Sequence, residues 1–164
     1  MVKFLKEAKD YIIIIIVVVL IRTFVVTPAM VDGDSMNDTL LDGNLVLINK
    51  IGYRINGAKR FDIVVLKNEA DNDRIIKRVI GLPNEKIEYK DNKLYINGEE
   101  VKTNIDFKDT EDFTAETKDN EYFVLGDNRE VSKDSRILGN FKKEEILGKV
   151  NIRFYPLDRI GKVK

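Results

Sequence analysis

The sequence predicts a mainly β protein: an antiparallel β-sheet domain with a small β-hairpin insertion, preceded by one N-terminal transmembrane helix. Three observations carry this. Residues 11–21 form an unbroken apolar run, YIIIIIVVVLI. After Gly43, short runs rich in Val, Ile, Phe and Tyr alternate with Gly, Asn and Asp, the punctuation of strands and turns. Asp91-Asn92 and Asn97-Gly98 follow apolar runs at the spacing of tight hairpins.

The apolar run continues through Phe24, Val25, Val26, Ala29 and Met30 with one charge, Arg22. Helix over residues 11–30 covers about 30 Å, one hydrocarbon core. Arg22 then lies past the midpoint, where its stem snorkels to the outer interface. Lys3, Lys6 and Lys9 precede the run, and after residue 30 no Lys or Arg follows until Lys50. This bias places residues 1–10 in the cytoplasm and residues 31–164 outside, on a single-pass cell-membrane anchor. The competing assignment is a cleaved secretory signal, since the apolar core has a fitting length. Thr27-Pro28-Ala29 makes a poor small-residue cleavage site, and Arg22 and Phe24 stand where a short polar region belongs.

Beyond the anchor there is room for one domain of about 130 residues. Residues 45–48 (LVLI) and 62–66 (DIVVL) read as strands, joined by a loop bearing Gly52 and Asn56-Gly57. Residues 74–82 (RIIKRVIGL) form a strand stopped by Pro83-Asn84. Residues 86–89 and 93–96 pair across Asp91-Asn92, and Asn97-Gly98 turns the chain toward Val101. Residues 121–125 (EYFVL) and 149–155 (KVNIRFY) complete the strands, while 142–147 suit a turn or two of helix. The acidic, Thr-rich segment 106–120 reads as an exposed loop or flap, and about 84–120 as the insertion.

Composition narrows the chemistry. Lys plus Arg (28) equals Asp plus Glu (28), so no net field draws the protein to nucleic acid. The chain has no Cys and no His. That removes disulfides, thiol nucleophiles, His-bearing zinc sites and the Ser-His-Asp triad. Acid–base work near neutrality falls to Lys, Tyr, Asp or Glu with a displaced pKa. The acidic cluster Asp32, Asp34, Asp38 and Asp42 misses the spacing of a calcium loop, and no metal or cofactor is expected.

Only three serines occur, Ser35, Ser132 and Ser135, all in Gly/Asp-rich segments, DGDSM and GDNREVSKDSR. A hydroxyl nucleophile without His needs another base, and a lysine whose charged form is disfavoured by burial serves. Lys77 interrupts an apolar strand; by alternation it shares a face with Ile75 and Val79, while Arg78 shares the other with Ile76 and Ile80. Periodicity does not choose between the two cations, but chemistry does, because arginine stays protonated. Lowering a lysine from about 10.4 to about 8 disfavours its charge by roughly 3 kcal/mol, within reach of partial burial.

Ser35-Met36, Thr39-Leu40, the run from Lys77 through Pro83, and Gly126-Asp127-Asn128-Arg129 through Ser132, Asp134, Ser135 and Arg136 resemble the boxes of bacterial type I signal peptidases, in order and in register from the anchor to about Val150. The resemblance implies a membrane-bound Ser/Lys serine endopeptidase, residues 31–164 its catalytic domain, that removes signal peptides from exported preproteins on the outer face of the bilayer. It makes Ser35 the nucleophile, Lys77 the general base, Ser132 the hydroxyl that positions the lysine, and Asp134 with Arg136 a bracing pair. It also implies an oxyanion held by the Ser35 N–H and by a donor at position 33. Gly33 has no hydroxyl, so that donor is a backbone N–H or is missing. Substrates with Ala-x-Ala before the cut need two shallow apolar pockets, for which Val31, Met36, Ile75 and Ile76 are the candidate walls.

Three departures from the family pattern stand out. Asp38 replaces a proline; Asn84-Glu85 replaces Gly-Asp, with Asn able to adopt the left-handed conformation; and Glu130-Val131 replaces Asp-Asn. Two rival classes accompany this assignment: a membrane-anchored β-domain that binds an extracellular partner without catalysis, and a self-cleaving Ser/Lys protease of the repressor type.

Overall fold

The structure is a computed structural model that describes residues 2–37, 39–68, 73–103, 105 and 109–163. It opens with helix α1, Val2–Leu20, and a π-helical turn, Ile21–Val25. The chain then enters strand β1, Val26–Met30, which pairs antiparallel with β2, Leu45–Asn49. The expected helix over 11–30 is therefore corrected at its end. Pro28 lacks the N–H a helix needs and biases Thr27 toward extended backbone, so helix stops before both. Among the described residues no helix is long and apolar enough to cross a membrane. Residues 11–21 are nevertheless exposed along their whole length, from 46% at Ile13 to 69% at Tyr11.

Helix α2, Lys50–Asn56, stands where the sequence suggested a loop. The Asn49 side chain accepts a hydrogen bond from Gly52 N–H at 2.7 Å, and Gly57 at φ +66° ends the helix. Strands β3, Ile63–Asn68, and β4, Asp73–Gly81, pair antiparallel and put Val64 opposite Lys77 and Ile63 opposite Arg78. Strands β5, Lys86–Lys90, and β6, Lys93–Ile96, form the expected hairpin, with Asp91 and Asn92 both at positive φ. The second turn, Asn97-Gly98, leads into β7, Glu99–Glu100.

Segment 106–120 is corrected in part. Residues 106–108 lie outside the described residues, but Phe113–Glu116 is strand β8, paired with β5. Phe113 drives this, with its ring stacked 5.7 Å from Tyr89 and 5.4 Å from Phe123. Then come β9, Glu121–Leu125; helix α3, Ser135–Leu138; β10, Phe141–Lys142; and β11, Ile146–Tyr155. The helix expected at 142–147 shrinks to one 3-10 turn, Lys143–Glu145, and a short β12, Gly161–Lys162, closes the chain.

The main sheet runs β1-β2-β11-β3-β4-β9-β10, with β12 beside β11, and the smaller sheet runs β7-β6-β5-β8. On β3, Ile63 and Val65 join the core around Val31, Met36 and Leu40, while Val64 and Leu66 join the one around Val79 and Val124. Burial on both faces explains why DIVVL is a continuous apolar run, each such side chain contributing about 1.5–3 kcal/mol. A third cluster, Ile80, Ile87, Phe123 and Leu125 among its members, joins the two sheets.

Candidate active site

Residues 31–44 are pinched into a loop by Val31 N–H donating to Asn44 O at 2.8 Å and Gly43 N–H to Val31 O at 2.9 Å. Val31, Met36 and Leu40 plug the loop into the core, each at most 3% exposed. Between these plugs a tight turn, with Asn37 N–H on Asp34 O and Leu40 N–H on Met36 O, holds Ser35 half-buried. A second loop clamps the first: Asn128 donates from its backbone N–H to Ser35 O and from its side-chain amide to Asp34 O, both at 3.1 Å.

Strand β4 delivers the partner. Lys77 is buried, and its Nζ lies 2.6 Å from Ser35 Oγ, across 42 residues of sequence. Burial lowers its pKa from 10.5 to about 8; Asp134 and Asp127 pull it back up, but more weakly. At neutral pH about a tenth of such lysines are uncharged and able to take a proton. Ile75 and Val79 pack in one cluster and Ile76 in another, the alternation the sequence predicts. Arg78 takes the other direction and buries fully, its Nε and Nη2 meeting both oxygens of Asp127 at 2.8 and 2.6 Å. Thr39 Oγ1 donates to the same carboxylate at 2.6 Å, tying the Ser35 loop to β4 and to the 127–136 segment.

Asp134 and Arg136 form the expected pair, Arg136 Nε on Asp134 Oδ1 and Nη2 on Oδ2, each at 2.9 Å. The fully buried Asp134 also accepts from Gly126 N–H at 3.1 Å, and Arg136 donates to Arg129 O at 2.7 Å. Ser132, expected to position Lys77, has its Oγ buried and, among the described residues, without a hydrogen bond to Lys77 or any other group. The hydroxyl lies instead against Gly126, where a Cβ would come within 2.1 Å of it. For Gly33 the sequence left open a backbone donor or none. At φ +86° it shapes the loop, but its N–H donates to Asp42 Oδ1 at 2.9 Å and is already committed.

Val31, Met36, Ile75 and Ile76 line one small cavity, about 160 Å³, together with Ser35 and Lys77. Beside it, among the described residues, residues 73–77 of β4 pair with β3 on one edge only. Asn84 adopts φ +62°, the left-handed conformation expected where the pattern has glycine, and Glu85 forms an ion pair with Arg60 at 2.6 Å. Asp38 lies outside the described residues. Sequence reasoning assigned no role to Thr39, Arg78, Asp127 or Asn128. All four stand in the quoted boxes, which was the available signal. Among the described residues, no three His, Cys, Asp or Glu side chains are grouped to hold a metal ion.

Comparison with known proteins identifies the family. The family model described as signal peptidase, peptidase S26, matches residues 4–155. A signal peptidase IB of Staphylococcus aureus is 39% identical over 175 residues, covering 92% of this chain and 91% of that protein. A signal peptidase I of Bacillus amyloliquefaciens is 41% identical over 173 residues, covering 98% and 92%. The crystal structure of a signal peptidase I from Enterococcus faecalis superimposes with a TM-score of 0.50 at 37% identity, covering 56% of this chain and 95% of that one. With a family match spanning nearly all of its length, the chain belongs to the signal peptidase family, peptidase S26.

Proposed function

We propose that this protein is a membrane-held serine endopeptidase that removes signal peptides from exported preproteins, with Ser35 as nucleophile and Lys77 as general base. The observation that carries the assignment of roles is the 2.6 Å contact between Lys77 Nζ and Ser35 Oγ in a chain without histidine. The relatives' names support the reaction.

In the reactive state Lys77 is neutral, and the Ser35 hydroxyl donates to its nitrogen lone pair. Oγ attacks the scissile carbonyl carbon while its proton passes to Nζ. The oxyanion takes the Ser35 N–H, and collapse of the tetrahedral species breaks the C–N bond as Nζ returns the proton to the leaving amine. Lys77, neutral again, takes a proton from water as its oxygen attacks the acyl carbon; the second tetrahedral species breaks its C–Oγ bond, and Nζ returns the proton to Ser35 Oγ. The open edge of residues 73–77 suits an extended peptide added as a strand. A cavity of about 160 Å³ walled by Val31, Met36, Ile75 and Ile76 suits small side chains, the Ala-x-Ala pattern.

The exposed apolar stretch of α1 is the anchor, inserted with the lysine-bearing N-terminus in the cytoplasm and the β-domain on the outer face. Residues 11–25 span about 22 Å as helix, so the turn before Tyr11 enters the inner interface, where the Lys9 stem snorkels.

Cleavage of a preprotein by the detergent-solubilised full chain tests this. The wild type cuts after the Ala-x-Ala segment, and Ser35→Ala and Lys77→Ala each lose at least about 10³-fold. Variants as fast as wild type overturn the dyad; an inert wild type that still binds the preprotein supports a binding module instead.

A further inference from the structure

A second cavity, about 630 Å³, lies at the foot of the N-terminal helix, with neither Ser35 nor Lys77 in its walls. Its walls include Thr23 from the helix exit, Lys50 and Arg54 from α2, Arg74 from the start of β4, and Lys143 and Glu144 from the 3-10 turn. Four cationic side chains thus face one carboxylate. Glu144 is already engaged, with the Asn120 amide at 2.9 and 3.0 Å from its two oxygens. Lys50 Nζ donates to Thr23 O at 3.1 Å and fastens α2 to the helix end. Arg54 lies 6.0 Å from the ring centre of Phe24. Among the described residues, neither Arg54, Arg74 nor Lys143 has a carboxylate at ion-pair distance.

Cations that outnumber the carboxylates of a cavity four to one call for a further anion. The surroundings decide which kind. Ile51 and Ile55, one turn apart on α2, are 44% and 74% exposed beside the point where the chain leaves its apolar helix. A soluble phosphate has no use for them, whereas a phosphate carrying acyl chains does. We propose that this cavity binds the headgroup phosphate of an anionic phospholipid, with Ile51 and Ile55 dipping into the acyl boundary. The proposal rests on the membrane-anchored reading above. Arg74 also lines the small cavity that holds Ser35 and Lys77, so an occupied headgroup site borders the cleft itself.

The test uses the full chain in detergent micelles, titrated with dioleoylphosphatidylglycerol, dioleoylphosphatidylcholine or inorganic phosphate and read by native mass spectrometry. Wild type is expected to prefer phosphatidylglycerol over phosphatidylcholine by about tenfold or more. The double variant Arg54→Gln/Lys143→Gln is expected to lose about 20- to 30-fold in that affinity, and Arg54→Lys/Lys143→Arg to keep it. Unchanged cleavage of a short peptide by the Gln variant in lipid-free micelles shows that its fold and dyad are intact. Equal affinity for the two lipids, or a Gln variant that binds as wild type does, overturns the proposal. Displacement of the lipid by inorganic phosphate reassigns the cavity to a free anion, and displacement by preprotein reassigns it to substrate; either also overturns it. Flotation with phosphatidylcholine vesicles separates the two claims. A chain that floats without discriminating lipids fails only here, whereas one that does not float fails the anchor reading and this proposal with it.

Discussion

Lys77 is the residue whose environment and chemistry bear most directly on each other. Folding moves its pKa from 10.5 down to about 8, so the unfolded chain binds more protons between those values. Stability therefore falls as pH drops from about 10.5 through about 8, and the full cost persists below. That cost is about 3 kcal/mol, partly offset by the hydrogen bond to Ser35. Lys77→Met is expected to abolish cleavage yet stabilise the protein at neutral pH by about 2 kcal/mol in urea denaturation, with the gain vanishing above about pH 10.5. A Met variant less stable than wild type at neutral pH would show that the lysine is not held against its own solvation. The sequence singles out Lys77 over Arg78 because only one of the two cations can lose its proton, and it is Lys77 whose Nζ meets Ser35 Oγ. What Arg78 does instead was not legible: its partners Asp127 and Thr39 lie 49 and 39 positions away in the chain. The Ser132 hydroxyl, without a hydrogen bond among the described residues, shows that a motif names a residue type while packing decides which atoms it meets.

At the scale of elements, the site is three pieces of backbone held in contact: the loop 31–44, strand β4, and the segment from Gly126 to α3. Gly126 is where two of them touch. A Cβ there would lie 2.5 Å from Ser35 O as well as 2.1 Å from Ser132 Oγ, and the first of these is backbone that cannot swing away. Gly126→Ala is expected to displace the Ser35 loop and lower kcat/KM by about 10²-fold, since a shift near 1 Å is enough to misplace a nucleophile. Retained activity would mean that the loops are not in register through this glycine. Strands of strong alternation or double-sided burial were readable from sequence, as were the turns at Asp91-Asn92 and Asn97-Gly98, whose residues accept positive φ. Elements defined by tertiary contact were not. Strand β8 depends on Phe113 stacking between two rings from other strands, and α2 on an Asn49 cap that looks like any loop asparagine.

For the whole molecule, the proposed function assigns location to the apolar N-terminal stretch and chemistry to the β-domain. Apolar content predicts a membrane segment over residues 11–30; Pro28 and the pairing of β1 with β2 claim residues 26–30 for the sheet. The full chain is expected to stay with vesicles after alkaline extraction, and Ile15→Lys, which adds about 3 kcal/mol to insertion, to shift much of it to the soluble fraction. Full retention of that variant would point to peripheral attachment. The central claim, a neutral lysine as the base for Ser35, is tested most directly by the pH dependence of kcat/KM for preprotein cleavage, with the full chain in vesicles. From about pH 6 upward the rate is predicted to rise about tenfold per unit and to level off near an apparent pKa of about 8. A profile flat from about pH 6 to about pH 10 would contradict a lysine base at position 77.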